Sequence, residues 1–186
     1  MKDNAGMTTS SHDPGRRNLL LGAGAAATVA GVGLALWRFE PEELTDVVSH
    51  SFWEQQFETT GGGSLSMTQF KGQRLLLNFW ATWCPPCIEE LPMIDAFWRE
   101  NNRIGYQVLA LAIDQPSAVR RFLARHPLAF PVGLAGLEGT SLAKSLGNTV
   151  GGLPFTVFFR PDGSIWRQKM GQITAEDLTQ WRQSAT

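Results

Sequence analysis

Apolar positions along the chain fall into short runs that alternate between the periods of strands and helices. Leu75-Leu76-Leu77-Asn78-Phe79-Trp80 is apolar on both faces and follows the Lys71-Gly72-Gln73 turn, the pattern of a central strand covered on either side. Tyr106 to Ile113 repeats that pattern and ends at Asp114-Gln115-Pro116. Between them, the residues after Cys84 read as a helix to about Asn101, interrupted by Pro92, which should kink it. Ser117 to Arg125 predicts an amphipathic helix, Phe130 to Leu134 a short strand, and Ser141 to Leu146 a short helix. Phe155 to Arg160 and Ile165 to Met170 predict paired strands across Pro161-Asp162-Gly163-Ser164, a turn with favourable chemistry. Ala175 to Ser184 closes the chain as a helix, with Thr174 as N-cap and Glu176 and Asp177 in its first turn. Upstream, Ser51 to Phe57 reads as a strand, returned by Ser64 to Met67 after Gly61-Gly62-Gly63. The whole predicts an α/β class: a central mixed sheet flanked by helices, ending in an antiparallel hairpin.

One segment stands outside this alternation. Residues 18–37 carry no charge and match the roughly 20 residues that a bilayer requires. Arg16-Arg17 precede them, and Glu40, Glu42 and Glu43 follow, so the positive-inside rule places the N-terminus in the cytoplasm. Arg16-Arg17-Asn18-Leu19-Leu20 also resembles a twin-arginine export signal. Gly33-Leu34-Ala35 offers small residues for a signal peptidase, but Trp37 and Arg38 suit an interfacial anchor, which favours retention. The predicted organisation is a disordered cytoplasmic segment over 1–17, a transmembrane anchor or uncleaved signal over 18–37, a linker over 38–50 and one domain over 51–186. The expected location is a single-pass attachment to the cytoplasmic membrane with the globular domain in the periplasm.

Charge adds an exclusion. The formal net charge is −1 and no basic stripe exists, so nucleic-acid binding has no support. The two cysteines add the chemistry. They sit in one cassette, Trp83-Cys84-Pro85-Pro86-Cys87, between the first central strand and the following helix. An exported chain with a single C-x-x-C is not using disulfides as a framework; strand, two cysteines one turn apart, then helix is the layout of a redox dithiol. His12, His50 and His126 show no ligand spacing, so neither metal nor cofactor is expected. A copper-delivery role through the two cysteines finds no Met or His close in sequence to help it.

The pattern resembles the thioredoxin superfamily, and within it the membrane-tethered TlpA/ResA-like thiol–disulfide oxidoreductases. The residues that carry the resemblance are Phe70-Lys71-Gly72, Leu77-Asn78-Phe79-Trp80-Ala81-Thr82-Trp83-Cys84-Pro85-Pro86-Cys87 and Glu90-Leu91-Pro92. Gly152-Leu153-Pro154-Phe155-Thr156-Val157-Phe158-Phe159 and Asp162-Gly163 extend it. The resemblance implies a thioredoxin-like fold with an N-terminal β-hairpin and a central strand–helix insertion between Tyr106 and Leu146. It also implies disulfide-containing exported substrates, such as apocytochrome c or copper-site cysteines, and a membrane electron donor of the DsbD/CcdA type. A net disulfide oxidase and a thiol peroxidase are alternatives; the latter lacks a P-x-x-x-T-x-x-C segment around Cys84.

Each residue of the site has a physical role on this reading. Cys84 should lie partly exposed at a helix N-terminus, where the dipole favours a thiolate, and is the candidate nucleophile. Cys87, one turn inside, is the buried resolving thiol. Pro85 and Pro86 have no N–H to donate to that thiolate, which raises the thiol pKa and favours a reducing couple. Glu90 follows Cys87 by three residues on the same helical face and is the candidate proton relay, whereas Asn78 cannot titrate. The resemblance makes Leu153–Pro154 a cis bond facing the dithiol, with Leu153 and Trp83 as candidate substrate-binding residues. Phe155 stands where many relatives carry a small or hydroxylated residue.

Overall fold

A computed structural model describes residues 51–184 and builds them around strand β3 (Arg74–Trp80). From Leu75 to Trp80 every side chain is buried, because the two faces of the strand feed two separate cores. Leu76 and Trp80 point into one; Leu75, Leu77 and Phe79 point into the other, as the two-residue period of a strand requires. β4 (Tyr106–Ala112) runs parallel to β3, and β5 (Val132–Leu134) runs parallel to β4. On the other side of β3, β6 (Phe155–Phe159) is antiparallel, and β7 (Ile165–Met170) forms a hairpin with it. β1 (Gln56–Thr59) and β2 (Ser64–Ser66) form an N-terminal hairpin that joins the sheet at β5. The strand order is β2-β1-β5-β4-β3-β6-β7.

Helices cover both faces. α1 (Pro85–Asn101), α2 (Pro116–Arg125) and α4 (Ala175–Ser184) share the core of Leu76 and Trp80. α2 offers Val119 and Phe122 to it. Trp181 of α4 is 2% exposed and sits among Phe97, Tyr106 and Phe158, with ring centroids 5.0–5.6 Å away. α3 (Gly139–Ser145) covers the opposite face through Ala143, beside Met67 and Phe70 of a 3-10 turn. The Tyr106–Leu146 stretch forms β4, α2, β5 and α3, the expected strand–helix insertion.

Two expectations change. Residues 51–53 are helical and the strand begins only at Gln56. The reason is tertiary: Phe52 stacks on Phe159 at 5.1 Å and Trp53 meets the same ring edge-on at 5.2 Å, an aromatic cluster that a helical turn presents as well as a strand would. β5 begins at Val132, two residues later than expected, after Pro131. α1 runs through Pro92 to Asn101, the expected end, so the proline removes one hydrogen bond without ending the element. The segments 1–17, 18–37 and 38–50 lie outside the described residues. Among the described residues no helix is long and apolar enough to cross a membrane.

Candidate active site

The site forms where β3 hands over to α1. The end of β3 is tied to the end of β4, since the Ile113 N–H donates to the Trp80 carbonyl at 2.8 Å. Asp114 then fixes the turn into the cassette: its Oδ2 accepts from Thr82 N–H at 2.9 Å and from the Thr82 hydroxyl, and its Oδ1 accepts from Gln115 N–H at 2.6 Å. Cys84 is the N-cap of α1, with an extended backbone at φ −103° and ψ 100°, and Pro85 and Pro86 fill the first turn. The Ile88 N–H donates to the Cys84 carbonyl at 3.2 Å, closing that turn. No side-chain hydrogen bond caps this helix, and since neither proline has an N–H, Cys87 is the first residue of α1 with one to offer.

Cys84 and Cys87 form a disulfide, with sulfurs 2.05 Å and Cα atoms 5.3 Å apart. The expected partial exposure of Cys84 is corrected: it is 4% exposed and Cys87 fully buried. In the bonded form Cys84 joins the core of Trp80, Ala81 and Leu91. Trp83, by contrast, is 66% exposed and stands free beside the disulfide.

Glu90 lies one turn beyond Cys87 on α1 and is 1% exposed, whereas Glu89 is exposed. A carboxylate at such depth must be paired or protonated. Its Oε1 accepts from Asn78 Nδ2 and its Oε2 from the Ile173 N–H, both at 2.7 Å. Burial pushes the Glu90 carboxyl up from 4.5 to about 7, against the lowering pull of the Ile173 N–H, the Asn78 amide and the Lys169 charge. Asn78 is thus not a bystander. Its Nδ2 also donates to Thr156 Oγ1 at 3.1 Å, and strand register places Asn78, Thr156 and Lys169 in one row across β3, β6 and β7. Lys169 pairs in turn with Asp177 at the start of α4. Among the described residues Asn78 Oδ1 has no partner, so a half-turn of the amide would present an acceptor to a protonated Glu90.

Leu153–Pro154 is cis, as the resemblance implied. Pro154 is buried, its carbonyl accepts from the Gly171 N–H at 2.9 Å, and Leu153 packs against both cores. Trp83 and Leu153 line a cleft beside the cassette, together with Ile113, Asp114 and Leu137. Phe155 is buried and stacks on Phe79 at 5.9 Å. It belongs to the core rather than to the cleft. The sequence did not mark Thr156, Ile173 or Lys169 as part of the Glu90 surroundings, nor Leu137 as part of the cleft. Among the described residues no group of three or more His, Cys, Asp or Glu is placed to hold a metal ion.

Comparison with known proteins agrees with this geometry. The family model described as Redoxin matches residues 43–181. The thiol-disulfide oxidoreductase ResA of Bacillus cereus is 31% identical over 126 residues, covering 67% of this chain and 70% of the relative. The ResA of Halalkalibacterium halodurans is 29% identical over 120 residues, covering 64% and 66%. Among solved structures, StoA from Bacillus subtilis superposes with a TM-score of 0.57 at 26% identity, covering 69% of this chain and 95% of that one. A thioredoxin-related protein from Neisseria meningitidis serogroup B gives 0.63 at 27% identity, covering 70% and 98%. The chain therefore belongs to the redoxin family, has a thioredoxin-like fold and is a thiol–disulfide oxidoreductase.

Proposed function

We propose that the protein is a membrane-attached periplasmic disulfide reductase in which Cys84 is the nucleophile, Cys87 the resolving thiol and Glu90 the proton relay. In the reduced form the Cys84 thiolate attacks one sulfur of a substrate disulfide. A mixed disulfide forms, and the first substrate thiolate leaves and takes up a proton. Cys87, once deprotonated, attacks the Cys84 sulfur and expels the second substrate thiolate. The two electrons of the dithiol end on the substrate, and the enzyme carries the Cys84–Cys87 disulfide. A membrane donor of the DsbD/CcdA type returns two electrons. The substrates are exported proteins with paired cysteines, such as apocytochrome c or the copper-site proteins of respiratory oxidases.

The observation that supports this most is Glu90, a buried carboxyl one helical turn from the resolving thiol with a pKa of about 7. Such a group accepts the Cys87 proton and returns it to the departing thiolate at neutral pH. The reducing direction is supported by Pro85 and Pro86, which leave the Cys84 thiolate short of donors. The compartment is supported by the uncharged 18–37 segment behind Arg16-Arg17. The test is a Cys87→Ala variant in the native host, which cannot resolve the mixed disulfide. Mass spectrometry should find exported proteins bound to Cys84. Adducts confined to cytosolic proteins, or none at all, would refute the assignment.

A further inference from the structure

Two carboxylates meet the chain at consecutive amides. Glu90 Oε2 accepts from the Ile173 N–H at 2.7 Å, and Asp177 Oδ2 accepts from the Thr174 N–H at 2.8 Å. Neighbouring residues are about 3.8 Å apart, so the two carboxyl groups lie within about 10 Å of each other. Lys169, near the end of β7, pairs with Asp177 on that same oxygen. It stands in the row of Asn78 and Thr156, on the sheet face whose apolar members, Leu76, Trp80 and Phe158, pack against α1 and α4. Lys169 keeps 31% of its side chain exposed and Asp177 only 15%, so the pair sits at the margin of that core. β7 is an edge strand, and an inward lysine on an edge discourages pairing with other chains. That role alone needs neither Asp177 nor a buried acid nearby.

The surroundings of Glu90 hold few charges. β3 and β6 supply the neutral Asn78 and Thr156, and the turn before α4 supplies the Ile173 N–H. On α1, Cys87 is bonded to Cys84, Glu89 is exposed, and Asp95 serves Arg99 and the Ala129 N–H. On α4, Glu176 is exposed and accepts from Gln180, which leaves Asp177. On β7, Arg167 donates to Gln180, which leaves Lys169. Burial pushes the Glu90 carboxyl up, and among the described residues Lys169 is the charged group that draws it back.

We propose that Lys169 is a positioning residue for the proton relay: shared between Asp177 and Glu90, its ammonium keeps the Glu90 proton exchangeable. The proposal rests on the relay reading above and names the charge that regulates it. A buried carboxyl with no cation near it keeps its proton at neutral pH and has no room for another from Cys87. A buried carboxylate in a full ion pair stays ionised and has no proton to return. Lys169 avoids both limits because Asp177 holds it beside Glu90 without handing it over. As Cys87 attacks the Cys84 sulfur, its proton passes to Glu90, and Lys169 remains paired with Asp177. As the proton passes on to the departing thiolate, the same ammonium faces both acids. No ion has to enter or leave the core at either step.

The test uses the full-length protein and two readouts. The infrared band of the protonated Glu90 carboxyl, identified by its loss in Glu90→Gln, gives the titration midpoint in the oxidised form. Acid quenching and mass spectrometry of reduced protein mixed with 2-hydroxyethyl disulfide give the rate at which Cys87 resolves the Cys84 adduct. Lys169→Met keeps the stem and removes the charge, and should raise the midpoint from about 7 to about 8. Asp177→Asn keeps an acceptor for the Thr174 N–H and frees Lys169 for Glu90, and should lower the midpoint to about 6. The pH profile of resolution should move with each. Lys169→Arg, and Arg167→Met on the same strand, should leave the midpoint at about 7. An ion pair with a structural role alone would lower stability in both variants and move neither midpoint. Midpoints that stay in place, or that move in the same direction, overturn the proposal, while an effect of Glu90→Gln on the profile keeps the relay reading. If Glu90→Gln leaves the pH profile of resolution unchanged, the relay reading itself fails, and the proposal fails with it.

Discussion

Glu90 combines in one residue the cost of burial and the use made of it. Folding takes its carboxyl out of water, and the two donors at 2.7 Å return only part of that loss, so the group holds its proton up to about pH 7. The sign of the consequence follows. Between the ordinary 4.5 and about 7 the folded chain binds more protons at this site than the unfolded chain does. This contribution to stability is therefore fully present below about 4.5 and is lost as the pH rises through about 7. Glu90→Gln should remove that decline, which denaturant titrations of the oxidised protein at a series of pH values would show. The same charge bears on the reduced protein, since an ionised Glu90 beside Cys87 opposes thiolate formation. Glu90→Gln should lower a cysteine pKa and slow resolution of the mixed disulfide, whereas Glu89→Gln, on the exposed side of α1, should do little. Thiolate absorbance against pH, with insulin reduction alongside, separates the two variants. Identical behaviour would reduce Glu90 to a structural acid.

At the scale of elements, α4 links the outer end of the sheet to the site. Thr174 Oγ1 accepts from the Asp177 N–H at 3.3 Å, and Asp177 Oδ2 accepts from the Thr174 N–H at 2.8 Å, a reciprocal cap that starts the helix. Just before it, the Ile173 N–H reaches Glu90, so the placement of α4 sets one of the two donors on the carboxyl. Trp181 anchors the helix among Phe97, Tyr106 and Phe158. Trp181→Ala should destabilise the protein by about 3–5 kcal/mol, read from the denaturant midpoint at unchanged slope. A loss below about 1 kcal/mol would show that the cluster relaxes around the gap. Most of these elements were legible in the sequence, because period-two and helical spacing are local signals and turns such as Asp162-Gly163 punctuate them. The cassette was legible for the same reason, four residues carrying the chemistry. Residues 51–53 were not: Phe52 and Trp53 suit a strand by composition, and their partners Phe159 and Gly163 lie far along the chain, the latter 110 residues from Trp53. The partners of Glu90 were hidden for the same cause. Asn78 looked inert because it cannot titrate, and Ile173 acts through its backbone, which leaves no mark in a sequence.

For the molecule as a whole, the decisive quantity is the free-energy difference between its dithiol and disulfide forms. The fold affects it mainly through how well it holds a thiolate at Cys84. Cys84 is an N-cap, the position whose side chain ordinarily accepts from the N–H of the second or third helical residue. Pro86 occupies the second position and has no N–H, so only Cys87 remains to donate. Glu90 adds negative charge on the same helix when it ionises. Both effects disfavour the thiolate, hence the reduced form, which is the poise that the proposed reductase role requires. The couple should lie nearer to roughly −270 mV, typical of thioredoxin, than to the roughly −120 mV of the oxidant DsbA. Pro86→Ala restores the missing donor and should lower the Cys84 pKa and move the potential upward, toward oxidant behaviour. Titration against glutathione buffers measures both proteins. A wild-type potential above roughly −180 mV would contradict the reducing role. A Pro86→Ala potential at or below that of the wild type would show that the poise is set elsewhere than at the first turn of α1.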